Sequence, residues 1–310
     1  MILTELERGR RVRRVLWVTL VLNLTVACAK IAYGYAVHAL SIRADGFHSL
    51  TDSTNNLVGL LGVFLASRPA DAGHPYGHQK FEVIAAGVVG VSLLGMAFDV
   101  ARGALSRFGG GVVELPAIDD RAFVVLLGTL AVNVAVAYWE GRRGRELGSP
   151  MLTSDAAHTR SDVLVTLGVL LTVVLVGRGY AWADVAAAIA VAGFIAWAGI
   201  TVLRENLGYL ADTALLEPER VVQIACTVPG VASAHKVRTR GTPGGIYVDL
   251  HIQVAPHLTV VDAHRVTHWV IDAIKSGFEG VRDVLVHTEP ARPDQPYKPL
   301  PGAGSDSGAG

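Results

Sequence analysis

The chain has 310 residues, of which 51% are hydrophobic and 17% are charged, and its mean hydropathy is +0.41. This composition is too apolar for an ordinary soluble protein and predicts a membrane protein with a soluble extension. The net charge of zero argues against a broadly basic nucleic-acid-binding surface, and the two cysteines, Cys28 and Cys226, indicate neither a disulfide framework nor a thiolate metal site.

Six segments are apolar enough to cross a bilayer, which takes about 20 residues per helix. They lie at about 14–36, 40–66, 80–106, 119–140, 152–177 and 182–206. The second and fifth contain polar residues in their N-terminal halves. The apolar part of the fifth, from Val163, is too short to cross alone, so this span must extend back through polar residues. We interpret the first segment as a retained span and not as a signal peptide.

Basic residues predict the orientation of these spans. They cluster at 8–14, at 142–145, and around Arg68 and Lys80. The positive-inside rule therefore places both termini and the 67–79 and 141–150 loops in the cytoplasm. Because the connecting loops are short, we expect a multi-pass protein of a prokaryotic inner (plasma) membrane.

Two segments share the spacing D-x-x-H-x-x-x-D: ADGFHSLTD at 44–52 and SDAAHTRSD at 154–162. On a helix, intervals of three and four place each trio on one face. If the two faces meet, they offer two imidazoles and two carboxylates, a set that suits Zn²⁺ or a similar cation. These candidate ligands are His48, Asp52, His158 and Asp162. A lone histidine in a span is often only a hydrogen-bonded packing residue, but repetition of the whole trio favours a metal site.

Asp45 and Asp155 precede the two histidines by one helical turn. Either could orient an imidazole ring or pass protons. Simple helix polarity or contact with water explains them equally well.

A third copy of the interval lies in the loop SRPADAGHPYGHQKFE, as Asp71, His74 and His78. These three residues could hold a metal ion with an open position at the cytoplasmic mouth. Alternatively, the histidines cap helices or bind backbone groups. Lys80, at the start of the next helix, is a candidate partner for an acid elsewhere.

From about residue 209 the pattern changes to a helix at 219–227, a strand VASAHKVRTR, a strand GIYVDLHIQV, a helix at 259–277 and a strand VRDVLVHTEP. This α-β-β-α-β order predicts a small α+β domain with helices on one face of the sheet.

Candidate metal ligands in it are His235, His251, His264, His287 and Glu289, although isolated histidines are more typical of a solvated surface. His38, His257 and His268 are interpreted as such. The Pro/Gly/Ser-rich segment 292–310 is predicted to be disordered.

Taken together, these motifs resemble the cation diffusion facilitator family over about residues 10–291. Members are dimeric exporters that exchange divalent metal for protons. The resemblance implies an α-helical membrane protein with six transmembrane helices in 1–208 and a cytoplasmic ferredoxin-like metal-binding domain in 209–291. It also implies roles for particular residues. His48, Asp52, His158 and Asp162 correspond to the transport site, and Asp71, His74 and His78 to the interfacial site of bacterial zinc antiporters.

The same resemblance assigns His235, His251, His264, His287 and Glu289 to a binuclear cytoplasmic site, and Lys80 and Asp212 to a salt bridge at the dimer seam. Glu289 stands where the family usually has Asp, which changes the expected bridging geometry. His48 replaces the Asp of members that also carry iron or cadmium, so the two-His, two-Asp set resembles that of zinc-selective members. The His-rich cytoplasmic loop of some eukaryotic members is missing.

The sequence thus predicts a homodimeric Zn²⁺/H⁺ antiporter in a lipid bilayer, with Zn²⁺ as substrate and regulatory ligand, and with no enzymatic activity and no nucleic-acid partner. Three other functions remain open: a transporter of Fe²⁺, Mn²⁺, Co²⁺ or Cd²⁺, a proton-coupled transporter of another solute, and a metal sensor. An intramembrane metalloenzyme is disfavoured because the chain has no H-E-x-x-H motif.

Overall fold

The computed structural model describes residues 5–36, 40–108, 120–178 and 182–291. The predicted tail 292–310 and His38 lie outside this set, as do the side chains of Asp45, His48 and Asp52, although the backbone around these three is helical. The described chain divides into two compact units, one ending at Gly208 and one starting at Tyr209.

The first unit is built from six long helices, one for each apolar segment of the sequence. They are α1 (Glu5–Ala36), α2 (Leu40–Ala66), α3 (Lys80–Phe108), α4 (Asp120–Glu146), α5 (Pro150–Gly177) and α6 (Trp182–Leu210).

Three of these helices are long and apolar enough to span a bilayer within the described residues: Leu6–Tyr33, Lys80–Ser106 and Val185–Leu210. In α2 only the shorter stretch Ser53–Ala66 is apolar, because the preceding turns carry the polar trio. A six-span arrangement therefore stays a prediction. Large apolar side chains, including Trp17, Phe98 and Trp197, are exposed on the three apolar helices, as expected for surfaces in contact with lipid.

Close contact between helices in this unit depends on small residues. A Cβ atom at Gly62 of α2 would lie 2.4 Å from the Cβ atom of Ala85 in α3, so only glycine permits this approach. Around it, Val12, Leu16, Val63, Val89 and Met151 form a buried apolar cluster. The helices are thus in direct contact, with little room for larger side chains.

A buried ion pair joins three elements at one end of the bundle. Arg8 of α1 pairs with Glu82 of α3, with 2.8 Å between Nη1 and Oε2. The same guanidinium donates to the carbonyls of Leu147 and Gly148 in the α4–α5 turn, each at 2.8 Å. The Ser149 hydroxyl donates to the other Glu82 oxygen. This network satisfies the buried charges, and the sequence pattern did not reveal it.

The second unit has the predicted α-β-β-α-β order: α7 (Pro218–Cys226), β1 (Val231–Thr242), β2 (Gly245–Val254), α8 (Val260–Gly277) and β3 (Val281–Pro290). The sheet order is β1-β2-β3, with β1 and β2 antiparallel and β2 and β3 parallel. The element order is the predicted one, and the sheet is mixed, so the ferredoxin-like assignment of this domain stays a prediction.

Alternation along β2 separates the two faces of this sheet. Leu250 and Ile252 point into a core shared with Val221 of α7 and with Val266 and Val270 of α8. The residues between them, including His251, lie on the opposite face, which neither helix covers. The histidines of the strands therefore lie on the sheet face opposite the two helices, where His235 is buried, His251 is half-buried and His287 is exposed.

Candidate metal sites

A small polar cavity lies inside the bundle, between helices that are otherwise apolar. Four of its lining residues belong to α5 and the rest to α1, α2 and α4. The lining residues are Asn23, Val26, Ser49, Asn56, Asn133, Asp155, His158, Thr159 and Asp162. The trio predicted on α5 therefore faces one space, as its helical spacing requires.

His158 is buried and contacts an asparagine of α2. Its Nε2 atom lies 3.5 Å from Nδ2 of Asn55, whose Oδ1 accepts a hydrogen bond from Ser92. An amide nitrogen can only donate, so this orientation presents Nε2 of the ring as the acceptor. The neutral imidazole is the form that binds metal, and a metal ion at Nε2 would replace the contact with Asn55.

Asp155 is also buried and is held by a chain of two asparagines. Asn56 donates to its Oδ2 atom at 2.5 Å, and Asn23 donates to Oδ1 of Asn56 at 3.0 Å. Asp162 is half-buried and lines the same cavity. Because the side chains of His48, Asp52 and Asp45 are outside the described set, convergence of four ligands stays a prediction.

The structure brings the three loop residues together at the start of α3. The ligand atoms of Asp71, His74 and His78 lie within 4.8 Å of one another. Oδ1 of Asp71 is 3.3 Å from Nδ1 of His74, and Oδ2 is 3.4 Å from Nε2 of His78. Two ligands of one tetrahedral zinc ion are about 3.4 Å apart, so these distances suit a shared ion.

Backbone contacts prepare this loop cluster for metal. Nδ1 of His78 donates to the carbonyl of Pro69 at 3.1 Å, which leaves Nε2 facing Asp71 as the lone-pair nitrogen. The pKa of Asp71 is lowered, chiefly by the hydrogen bond from the His74 backbone amide, so the carboxylate is ionised at neutral pH. His78 is buried, whereas Asp71 and His74 are exposed.

Strand register brings the tail histidines together. His235 of β1 is paired with His251 of β2, His251 is beside His287 of β3, and Glu289 follows on the same face. A bulge after His235, where Lys236 has φ 51°, shifts the register before Arg238. We call His235, His251, His287 and Glu289 the sheet-face cluster.

Glu289 lies at the centre of this cluster. Its Oε1 atom is 2.5 Å from Nδ1 of His251 and 3.7 Å from Nε2 of His287, and its Oε2 atom is 3.4 Å from Nε2 of His235. The longer side chain that stands in place of aspartate thus reaches all three rings. Three imidazoles and a carboxylate form a donor set that suits zinc.

The electrostatics keep these groups in their metal-binding forms. Burial lowers the pKa of His235, although the neighbouring Glu289 carboxylate opposes this shift. The hydrogen bond from His251 is the largest cause of a lowered pKa for Glu289. The imidazole of His235 and the carboxylate of Glu289 are therefore neutral and ionised, respectively, at physiological pH.

His264 lies elsewhere in this domain. It is exposed on α8, where its Nε2 atom is 3.2 Å from Nε2 of His268, and its helix covers the other face of the sheet.

Lys80 begins α3 and Asp212 follows α6 with φ 56°. They belong to separate units, so their predicted salt bridge stays a prediction.

One buried acid was missed by the motif search. Glu140 of α4 has no exposed surface. The only sequence signal was a charged residue at the end of an apolar run, which also marks many helix ends.

Both parts of the chain match known families. Residues 16–211 match the family described as Cation efflux transmembrane domain, and residues 216–291 match the one described as Cation efflux protein, cytoplasmic domain. An uncharacterised transporter of Methanocaldococcus jannaschii is 30% identical over 285 residues, which cover 90% of this chain and 99% of the relative. The cation-efflux pump FieF of Cronobacter sakazakii is 31% identical over 295 residues, covering 92% and 94%. The manganese efflux system protein MneP of Bacillus subtilis is 26% identical over 297 residues, covering 92% and 98%.

Proposed function

The chain belongs to the cation diffusion facilitator family of divalent-cation efflux transporters, which are not enzymes, and from this premise we propose that it exports Zn²⁺ in exchange for protons. The observation that supports this proposal most is the bundle cavity, where His158 and Asp162 of α5 face Ser49 and Asn56 of α2.

The helical backbone of α2 supports the second half of the ligand set. Ser49 and Asn56 line the cavity and flank position 52 at intervals of three and four residues. On a helix such positions share one face, so Asp52 belongs to the face that borders the cavity. His48 precedes Asp52 by four residues and shares this face. We propose His48, Asp52, His158 and Asp162 as the transport site.

Competition between protons and metal couples the two fluxes. Neutral imidazole and ionised carboxylate bind the cation, whereas protonated imidazole does not. An ordinary histidine pKa of about 6.5 places this competition near physiological pH. Export then requires the helices to expose one site alternately to the two sides.

Topology and assembly follow from the same proposal. We infer six spans in a prokaryotic inner membrane, with both termini in the cytoplasm, from the basic residues at 8–14 and 142–145. We infer a homodimer in which the cytoplasmic domains regulate transport. In this scheme, metal bound by the sheet-face cluster and by His264 of α8 would link the domains, together with the Lys80–Asp212 salt bridge. The loop cluster, Asp71, His74 and His78, would bind metal near the cytoplasmic mouth.

A second candidate substrate is Mn²⁺. The cavity is lined by three asparagines, Asn23, Asn56 and Asn133, besides Ser49. Amide and hydroxyl oxygens suit harder cations, and a relative is named as a manganese efflux protein.

Reconstituted vesicles test the exchange directly. The purified chain should move Zn²⁺ into vesicles while protons move outward, measured with a zinc dye and a pH dye in the same sample. Mn²⁺, Fe²⁺, Co²⁺ and Cd²⁺ should be compared at equal concentration. Zinc movement without opposite proton movement would disprove antiport. Faster transport of Mn²⁺ than of Zn²⁺ would mean that Mn²⁺ is the preferred substrate.

A further inference from the structure

Helix α8 carries two exposed histidines that are in contact with each other. His264 and His268 are four residues apart, so they lie one above the other on one side of the helix. Their Nε2 atoms are 3.2 Å apart, and their ring centroids are 4.6 Å apart. Two imidazoles thus direct their Nε2 atoms to one point on the outer surface of the tail domain.

The separation of these two nitrogens is that of two ligands on one ion. A tetrahedral zinc ion with Zn–N bonds of about 2.0–2.1 Å holds two imidazole nitrogens about 3.4 Å apart. Without metal, one ring must donate its Nε2 hydrogen to the other, because a neutral imidazole has one donor nitrogen and one acceptor nitrogen. With metal, both rings carry their hydrogen on Nδ1 and present Nε2 lone pairs. Only one ring has to change its tautomer when a cation binds.

The helix holds the pair in place. Val266, Val270 and Ile274 are buried and anchor α8 in the core of the domain. The Thr259 hydroxyl caps the start of the helix by accepting a hydrogen bond from the Asp262 amide at 3.2 Å. Because the backbone that carries the two rings is already ordered, little conformational freedom is lost when a cation binds.

The charged groups of α8 near the pair favour a cation. Arg265 follows the first histidine, but its charge is paired with Asp262, with 3.3 Å between Nη1 and Oδ1. Asp272 follows His268 at the same interval of four residues and is exposed, so this side of the helix also carries a carboxylate. Over residues 182–291, neither imidazole of the pair forms an ion pair with an acid that would have to be broken.

The pair is separate from the sheet-face cluster of the same chain. Thr267, which lies between the two histidines in sequence, contacts the Thr288 hydroxyl of β3 at 2.9 Å. His287 and Glu289 flank Thr288 in the strand and therefore point to the opposite face of the sheet. The sheet thus lies between α8 and the sheet-face cluster.

We propose that His264 and His268 chelate one divalent cation through their Nε2 atoms, with water in the other positions, as a second metal site of the tail domain. Imidazole ligands suit Zn²⁺, Cu²⁺ and Ni²⁺ better than Mn²⁺ or Mg²⁺. Two protein ligands bind a cation less tightly than the four of the sheet-face cluster, so the pair fills at higher metal concentrations. The inference is independent of the proposed metal/proton exchange, since it concerns the tail whichever cation the bundle carries.

Chemical modification tests the pair one histidine at a time. Purified full-length protein in detergent is incubated with increasing Zn²⁺ and treated briefly with diethyl pyrocarbonate, which modifies imidazole nitrogens, and mass spectrometry measures the modification of each histidine. We expect zinc to protect His264 and His268 over one range of concentration. His268→Ala should raise the zinc concentration that half-protects His264 by about 10-fold or more, since even the loss of a group that only orients a ligand costs about that much.

The matched control is His257→Ala, which removes an exposed histidine before α8 and should leave the protection of His264 unchanged. Alanine is the best helix former, so His268→Ala keeps α8 folded. Half-protection of His264 at the same zinc concentration in the parent and in His268→Ala would overturn the inference. So would failure of zinc to protect either ring at millimolar concentration, because the rings would then only be hydrogen-bonded to each other.

A second variant separates the two metal sites of the tail. Glu289→Gln should weaken the protection of His251 by zinc and leave that of His264 and His268 unchanged. Loss of His264 protection in Glu289→Gln would place His264 in the sheet-face cluster and refute the pair. Neither result bears on transport, so the proposed exchange and this inference can fail separately.

Discussion

In the tail domain, hydrogen-bonded strands hold His235, His251 and Glu289 with their ligand atoms within 4.8 Å of one another. In the bundle, by contrast, His158 and Asp155 contact asparagines of a neighbouring helix. The first arrangement is set by backbone register within one sheet. The second depends on how separate helices pack, and the two halves of the proposed ligand set lie on different helices.

This difference matches the roles that we propose for the two sites. A sheet cannot change its register without breaking several hydrogen bonds, so a cluster built on it stays assembled and suits a metal-sensing role. Helices can tilt or shift while keeping their internal hydrogen bonds, so a site shared between them can open alternately to each side. The amide of Asn56 gives buried Asp155 a hydrogen-bond donor, and the amide of Asn55 contacts the ring of His158.

The largest expected difference between the bundle site and the sheet-face cluster comes from removing one carboxylate from each of them. Asp162→Asn should lower zinc transport by about 100-fold or more, because a ligand that the cation needs is lost. Glu289→Gln should leave a slower transporter, since the sheet-face cluster acts on transport only indirectly. Initial rates of Zn²⁺ uptake into vesicles distinguish the two. Normal transport by Asp162→Asn would mean that the bundle cavity is not the transport site.

A buried ion pair and an exposed ion pair within the bundle should also respond differently to loss of their acid. Glu82→Gln leaves Arg8 as a buried, uncompensated charge and should destabilise the bundle by about 3 kcal/mol. In the exposed cluster of α4, where Glu146 pairs with Arg142 and Arg143, Glu146→Gln should have little effect on stability, because water and salt screen these charges. Thermal unfolding of the full chain in detergent, followed in the bundle by hydrogen exchange, measures both effects. Equal effects would mean that the Arg8 network does not hold the bundle end together.

Much of the tail fold could be predicted because its signals are local. The apolar alternation of 246–254 and the turn residues around it predicted β2, and the structure places this strand at Gly245–Val254. The spacing of Asp155, His158 and Asp162 likewise predicted one helix face, and the structure puts all three on one cavity.

What the sequence could not reveal depends on contacts between distant residues. Arg8 and Glu82 are separated by 74 positions, and neither belongs to a repeated motif. In the tail, the meeting of His235 with Glu289 requires the register of three strands, which no spacing within one strand contains.

A smaller effect should appear in zinc binding by the tail. In an Asp162→Asn, His74→Ala background, where the bundle site and the loop cluster are both disabled, Glu289→Gln should weaken the tail's zinc affinity by about 10- to 100-fold. Its carboxylate reaches three imidazoles, and the amide cannot replace its charge. Asp283→Asn, an exposed acid on the same strand, is the matched control. Calorimetric titration of the full chain measures the affinity for Zn²⁺. Equal affinities for Glu289→Gln and Asp283→Asn would mean that the tail does not bind zinc at the sheet-face cluster.

The smallest effect concerns protons in the tail without metal. Burial lowers the pKa of His235 and the Glu289 carboxylate opposes this shift, so Glu289→Gln should lower the His235 pKa further, whereas Asp283→Asn should not. Hydrogen–deuterium exchange at the imidazole C2 position, read by mass spectrometry in EDTA, follows each histidine separately. In the unfolded chain His235 should titrate near ~6.5. Between that value and the lower folded pKa the unfolded chain binds more protons, so the folded domain should lose stability as the pH falls through this window and keep it above. A His235 pKa that stays unchanged in Glu289→Gln would mean that the carboxylate does not act on this ring, and the geometry of the sheet-face cluster would have to be revised.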